Sequence, residues 1–170
     1  MVTGKGALIR SATAADIPAV MKLEQASETA AHWTRDQYEL LFLRSRETSA
    51  ARLALVVIEE NADRESSGAH SAASDLSGFL VARDLGQEWE LENIAISGAA
   101  RRRGLASQLL AELLVRVRVG GSHTVFLEVR ESNAPARAFY EKLVFHECGR
   151  RKDYYSNPRE DAVIYKNSLG

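Results

Sequence analysis

Apolar residues in this chain fall into two rhythms, and the switches between them mark the elements. Residues 7–10 form a short opening strand. Ile17, Val20, Met21 and Leu23 then recur at helical spacing behind the capping residues Thr13 and Asp16, with Pro18 in the first turn. Thr34 caps a second helix through Tyr38, Leu41 and Phe42. A β-branched strand over 52–59 precedes a polar, Ser/Ala-rich stretch over 61–77, which reads as a hairpin loop within one domain. Strands over 78–83 and 89–96, joined by a turn at 84–86, complete a three-strand meander. In the last of these strands Leu91, Asn93, Ala95 and Ser97 read as one face, and Trp89, Ile94 and Ile96 mark the apolar core.

From Gly98 the rhythm changes. A small-residue turn and a basic run lead into a helix carried by Leu105, Leu109, Leu110, Leu113 and Leu114, which Gly120-Gly121 ends. The strand over 124–130 follows this helical crossover, so it is expected parallel to the strand ending at Ile96. A helix over 134–143 behind Asn133 and Pro135, a strand over 145–151, a turn over 154–158 and a strand over 162–166 finish the chain. The expected architecture is one α/β (α+β) domain over 1–170, with a mixed, mostly antiparallel sheet.

Composition narrows the partners. The 170 residues suffice for one well-filled core, and 45% hydrophobic with 26% charged residues is ordinary for a globular domain. A net charge of −1 argues against a general nucleic-acid or membrane-surface binder. A lone cysteine, Cys148, excludes an internal disulfide, and His32, His70, His123 and His146 show no metal-ligand spacing, so no metal is expected. No apolar run is long enough to span a bilayer, and the opening residues lack a signal-peptide core. The expectation is a cytoplasmic monomer.

The arginines are concentrated rather than numerous. Arg101-Arg102-Arg103-Gly104-Leu105-Ala106 stands where a strand ends and a helix begins, and the first N–H groups of a helix lack internal partners. The run reads as a solvated basic turn or as a seat for a pyrophosphate. Glu128 interrupts the apolar strand Val125, Phe126, Leu127, Val129. It is a structural carboxylate paired with Arg130 or Arg103, or a general base at the end of a cleft. Asn133 caps its helix and also faces the expected ligand edge. Tyr140 shares a stripe with Ala136 and Leu143, as core or as proton donor. Trp33 is a hydrophobic staple onto Tyr38 or the core, a substrate contact, or both. Both turns, at 101–106 and 131–133, open onto the carboxyl edge of the two parallel strands, so the anion seat, the carboxylate and the tyrosine converge on one cleft.

Those residues resemble the GNAT family of N-acetyltransferases. The family's cofactor signature, Arg or Gln followed at fixed spacing by Gly and then Gly or Ala, stands as Arg101, Gly104 and Ala106, and its later signature as Asn133, Tyr140 and Leu143-Val144-Phe145. The register holds from about Leu8 to Lys166. Within the family the chain is most similar to the bacterial type that acetylates the N-terminal alanine of small-subunit ribosomal protein eighteen. Asn93-Ile94-Ala95-Ile96, Leu127-Glu128-Val129-Arg130, Phe139-Tyr140-Glu141 and the run from Arg151 to Tyr155 carry that similarity.

The resemblance implies a fold with a splayed parallel strand pair in mid-sheet and helices on both faces. It implies acetyl-CoA as co-substrate, no metal, and direct transfer to a protein N-terminus in a ternary complex. Ile94, Ala95 and Ile96 would pair with the pantetheine arm, and Arg102, Arg103, Gly104, Leu105, Ala106 and Ser107 would wrap the pyrophosphate with backbone N–H groups. Asn133 would lie near the thiol, Glu128 would be the general base and Tyr140 the general acid. Trp33, Tyr154 and Tyr155 would wall the acceptor slot. Gly98, Ala100, Ala106, Val144 and His32 depart from the family pattern. A small-amine or lysine acetyltransferase, and a non-catalytic acyl-CoA sensor, are the alternatives.

Overall fold

A computed structural model describes residues 6–27, 31–42, 51–59 and 76–170. The hairpin loop expected over 61–77 lies outside the described residues up to 75. Seven strands form one sheet: β1 (Ala7–Ser11), β2 (Arg52–Glu59), β3 (Leu76–Asp84), β4 (Trp89–Ile96), β5 (Thr124–Arg130), β6 (His146–Ser156) and β7 (Arg159–Ser168). Their order is β1-β2-β3-β4-β5-β7-β6. Among the described strands only β4 and β5 run parallel, as their helical crossover requires.

Strand alternation separates two cores. Leu55, Val57, Leu80, Val125, Leu127 and Val129 face α3 (Leu105–Val119) and α4 (Ala134–Lys142). Val56, Phe79, Val81 and Ala95 face α1 (Ile17–Gln25) and α2 (Arg35–Leu40). Helix α3 seats Leu105, Leu109, Leu110, Leu113 and Val117, all buried, at about 1.5–3 kcal/mol each. The helix starts follow their caps: Pro18 and Pro135 sit in first turns, and Thr34 accepts from the Gln37 N–H at 3.3 Å.

The structure departs from the sequence pattern at three places. A bulge in β4 opposite Val81/Ala82 shifts the pairing from Asn93 to Leu91. One extra residue reverses the alternation, so Leu91 joins the α3-side core while Asn93 and Ala95 face α1. Strand β6 does not stop at Arg151. It breaks register between Arg151 and Tyr155, resumes with Tyr155 opposite Glu160, and the chain reverses only after Ser156. The kink has Asp153 at φ 51°, its N–H donating to Asp161 and its carboxylate paired with Arg159. Tyr155 is held in the resumed strand by the Arg130 guanidinium, 4.2 Å from its ring centre.

The third place is the end of α4. Val144 adopts φ 62°, the left-handed position where glycine is usual. The Phe145 and Val144 N–H groups reach the Tyr140 and Glu141 carbonyls at 3.1 Å each, closing a Schellman motif. The Asn167 amide donates to the Leu143 and Val144 carbonyls at 3.1 Å each. These contacts hold a β-branched residue in an unfavourable backbone state. Val144 is 63% exposed, so its side chain contributes little burial. Val144→Gly should therefore stabilise the protein by about 1 kcal/mol, the strain relief less the glycine entropy. That is a rise of about 2–4 °C in thermal midpoint. A lower midpoint by circular dichroism would refute it.

Candidate active site

The cleft begins where pairing stops. Strands β4 and β5 are matched only at Trp89/Val125, Glu90/Phe126 and Leu91/Leu127. Beyond Leu91, β4 stays paired to β3 through Ile96, and β5 stays paired to β7 through Arg130. The two strands therefore part toward their carboxyl ends, leaving β4 backbone groups on that side without a strand partner. Gly78 on β3 accommodates this course of β4, since a Cβ there would meet the Ala95 carbonyl oxygen at 3.0 Å.

At the open end lies a cavity of about 270 Å³, lined by Ile96, Arg101, Arg102, Gly104, Ser107 and Phe139 among others. It sits at the amino end of α3, a helix of 15 residues whose N-cap, Gly104, offers no side-chain cap. Among the described residues the first-turn N–H groups have no side-chain cap, and the helix dipole stands behind them. Arg102 and Gly104 both take left-handed backbone, φ 61° and 78°. A Cβ on Gly104 would meet only Gln108 Nε2 at 3.9 Å, so it would fill the cradle rather than touch the protein. Uncapped donors, two arginines and an open cradle fit a diphosphate group. Ala106, Leu105 and Ser107 line the same wall. The Arg103 side chain does not: it pairs with Glu59 at 2.9 Å.

Glu128 faces away from α3, on the side of the sheet opposite Leu127 and Val129. Its side chain is 9% exposed, and the carboxylate is paired with Arg151 Nε at 2.8 Å. The partners named from sequence are occupied elsewhere: Arg130 by Glu160 at 2.7 Å and Arg103 by Glu59. Arg151 stands on β6, with β7 between, opposite Ala162. A long side chain bridges the two strand spacings, roughly 10 Å. The β6 kink brings Tyr154 onto the same carboxylate. The neighbouring Glu128 carboxylate raises the Tyr154 phenol pKa, with burial adding to the shift. Burial first, then the Glu128 charge, push the Tyr155 phenol up to about 12. A carboxylate, a guanidinium and two neutral phenols are therefore gathered at the parted strands.

Tyr140 is 7% exposed among Phe139, Phe145 and Tyr165, with ring centres 5.2, 5.8 and 6.4 Å away. Its stripe with Ala136 and Leu143 belongs to the α3-side core, as expected. Burial raises its hydroxyl pKa well above the usual tyrosine value, with Tyr155 adding to the shift, so the group is a neutral O–H. No hydrogen bond of that hydroxyl occurs among the described residues. Asn133 caps α4, accepting from the Ala136 N–H at 3.2 Å. Trp33 packs on Tyr38 with ring centres 5.4 Å apart, which is the staple contact. Ile94 and Ile96 point to the α3 side and Ala95 to the α1 side.

Sequence reasoning did not identify Arg151 as the partner of Glu128 or Phe139 as a cavity wall. The first contact crosses an intervening strand and leaves no local pattern. The second could have been found, since Phe139 immediately precedes Tyr140 on a helix leaning into the cleft. Among the described residues no three His, Cys, Asp or Glu side chains are grouped to hold a metal, and no helix is long and apolar enough to cross a membrane.

Comparison with known proteins places this geometry in a context. The family model described as acetyltransferase (GNAT) family matches residues 19–145. A [ribosomal protein bS18]-alanine N-acetyltransferase from Haemophilus influenzae is 39% identical over 94 residues, 54% of this chain and 64% of that protein. The Escherichia coli protein of the same name is 40% identical over 91 residues, 52% of this chain and 62% of its own length. The matches thus span less than two thirds of these relatives. The crystal structure of the ribosomal-protein-S18-alanine N-acetyltransferase from Escherichia coli superimposes with a TM-score of 0.76 at 27% identity, covering 96% of this chain and 94% of that one. Ard1 from Thermoplasma volcanium gives 0.76 at 25% identity, covering 97% and 99%.

Proposed function

The chain belongs to the acetyltransferase (GNAT) family, and on that footing we propose that it is an acetyl-CoA-dependent Nα-acetyltransferase. Its acceptor is the N-terminal alanine of ribosomal protein bS18 or a similarly exposed protein N-terminus. The observation that supports this most is the placement of Glu128, with Arg151 and Tyr154, at strands that part beside an uncapped helix start. The named relatives favour the acceptor assignment.

Bound acetyl-CoA supplies the acetyl thioester. The backbone N–H groups of Arg102 to Ser107 hold its diphosphate, and the unpaired edge of β4 at Ile94, Ala95 and Ile96 receives the pantetheine arm. Asn133 lies toward the thiol end. An α-amine of pKa ~7.7–8.0 is mostly an ammonium at neutral pH and must lose a proton before it can attack. Glu128 takes that proton, directly or through water, and Tyr140 returns one to the departing sulfur. The new bond is amine nitrogen to acyl carbon, and the carbon–sulfur bond breaks. Trp33, Tyr154 and Tyr155 wall the slot for the first acceptor residues, with Arg151 as the cation the incoming ammonium replaces on Glu128.

The test is thiol release from acetyl-CoA with a peptide beginning Ala-Arg-Tyr, against the same peptide blocked at its N-terminus. Release with the free terminus alone is expected. Release with free amines or lysine side chains but neither peptide would assign a different acceptor. Binding of acetyl-CoA without release to any amine would mark a sensor.

A further inference from the structure

Glu24 is a carboxylate in the wrong solvent. It sits on α1 at 2% exposure, within the core formed by Ile17, Val20, Leu23, Tyr38, Phe79 and Val81. Among the described residues its partners are all neutral donors. Oε1 accepts from the Asn93 amide at 2.6 Å, and Oε2 accepts from the Trp33 backbone N–H at 3.0 Å. The Asn93 amide also donates to the Tyr38 hydroxyl at 3.4 Å, and burial, with the Glu24 charge after it, raises the Tyr38 phenol pKa.

Stability alone does not call for such a group, because an apolar side chain of similar size would fill the site without losing hydration. An apolar residue could not hold a backbone N–H in a segment without helix or strand. Residues 31–34 are such a segment. His32, just before the held N–H, is at φ 53°, a backbone state that persists only where neighbours enforce it. The other end of the network matters equally. Asn93 lies two residues past Leu91, the last β4 residue paired with β5.

We propose that Glu24 is a positioning residue, tying the Trp33 segment to β4 where the cleft opens and so setting acceptor affinity. This rests on the reading that Trp33 walls the acceptor slot. Its expected signature is a loss in acceptor binding with little change in acetyl-CoA binding.

The experiment uses Glu24→Leu and Glu24→Gln in a Trp89→Phe background, where Trp33 is the remaining tryptophan of two. Leucine removes every acceptor while keeping the site filled. Glutamine can keep the Trp33 bond, because the Asn93 amide can turn to accept from it. Glu24→Leu should increase acrylamide quenching of Trp33 and raise the acceptor KM about tenfold, the loss of one charge-assisted bond. The acetyl-CoA KM should stay nearly constant while the thermal midpoint falls by a few degrees for the orphaned amide, and Glu24→Gln should restore the quenching and the acceptor KM. Should Glu24→Leu unfold, Glu24→Leu/Asn93→Leu removes the orphaned amide and takes its place. Unchanged quenching overturns the proposal whatever the acceptor proves to be. Changed quenching with an unchanged acceptor KM, measured on whichever amine the wild type acetylates, overturns the link to selectivity. Absence of any acetylation by the wild type would instead sink the proposed function, leaving the quenching result to decide the positioning role.

Discussion

Glu128→Gln is expected to lower turnover by about 10²–10⁴-fold, the range general-base catalysis contributes, with acetyl-CoA affinity nearly intact. Glutamine keeps the shape of the side chain and can still accept from Arg151, but it cannot take a proton from an ammonium. The fold should tolerate the change, because Arg151 is 55% exposed and can turn to solvent rather than remain a buried, unpaired charge. Steady-state thiol release, calorimetric titration with acetyl-CoA and thermal unfolding together separate the roles. Equal losses in turnover and cofactor affinity, with a lowered midpoint, would make Glu128 a structural carboxylate.

The second large effect should come from one oxygen atom. Tyr140→Phe keeps the ring contacts with Phe139, Phe145 and Tyr165 and removes a hydroxyl with no hydrogen bond among the described residues. Stability should therefore change by less than about 0.5 kcal/mol. Turnover should fall by roughly 10²-fold if the hydroxyl protonates the departing thiolate. Burial fixes the sign of the pH dependence. Because the pKa of Tyr140 is raised from 10.0, its donating form persists beyond the pH at which an exposed tyrosine ionises. Any alkaline limb of kcat caused by Tyr140 should therefore lie above pH 10. Unchanged turnover in the variant would return Tyr140 to a purely packing role, held by the Schellman turn at Val144.

The Schellman turn illustrates how the fold supports the chemistry. Phe145 caps the Tyr140 carbonyl with its N–H and packs its ring against the Tyr140 ring. Asn167 on β7 covers the two carbonyls left at the helix end. A valine is thus tolerated where the family pattern favours glycine, because tertiary hydrogen bonds supply what local backbone preference withholds. Arg130 has a similar part in the β6–β7 hairpin, where it bonds Glu160 and the Asn157 and Pro158 carbonyls while stacking on Tyr155. The Arg130 contact orients Tyr155 near Glu128, while the turn at Val144 fixes the Tyr140 ring in the α3-side core.

Local chemistry wrote much of this molecule into its sequence. The apolar stripe of α3, the caps at Thr34 and Asn133, the prolines at helix starts and the bounds of β2, β4 and β5 were legible because each depends on neighbours within a few residues. The parallel course of β4 and β5 followed from the crossover helix between them. Arg101–Ala106 was legible as a basic run at a helix start, since strand-to-helix switches show in periodicity.

What the tertiary structure alone decided involves residues far apart along the chain. The bulge opposite Val81/Ala82 turned Asn93 toward Glu24, 69 residues away. The kink in β6 carried Tyr154 to Glu128, and Arg151 reached that carboxylate across β7 while the expected partners Arg103 and Arg130 found Glu59 and Glu160. Charge pairing in a sheet is set by register and by which strand lies between, and neither leaves a periodic trace. Helices and strands repeat at fixed intervals and announce themselves; the partners of a buried carboxylate are chosen only when the strands assemble.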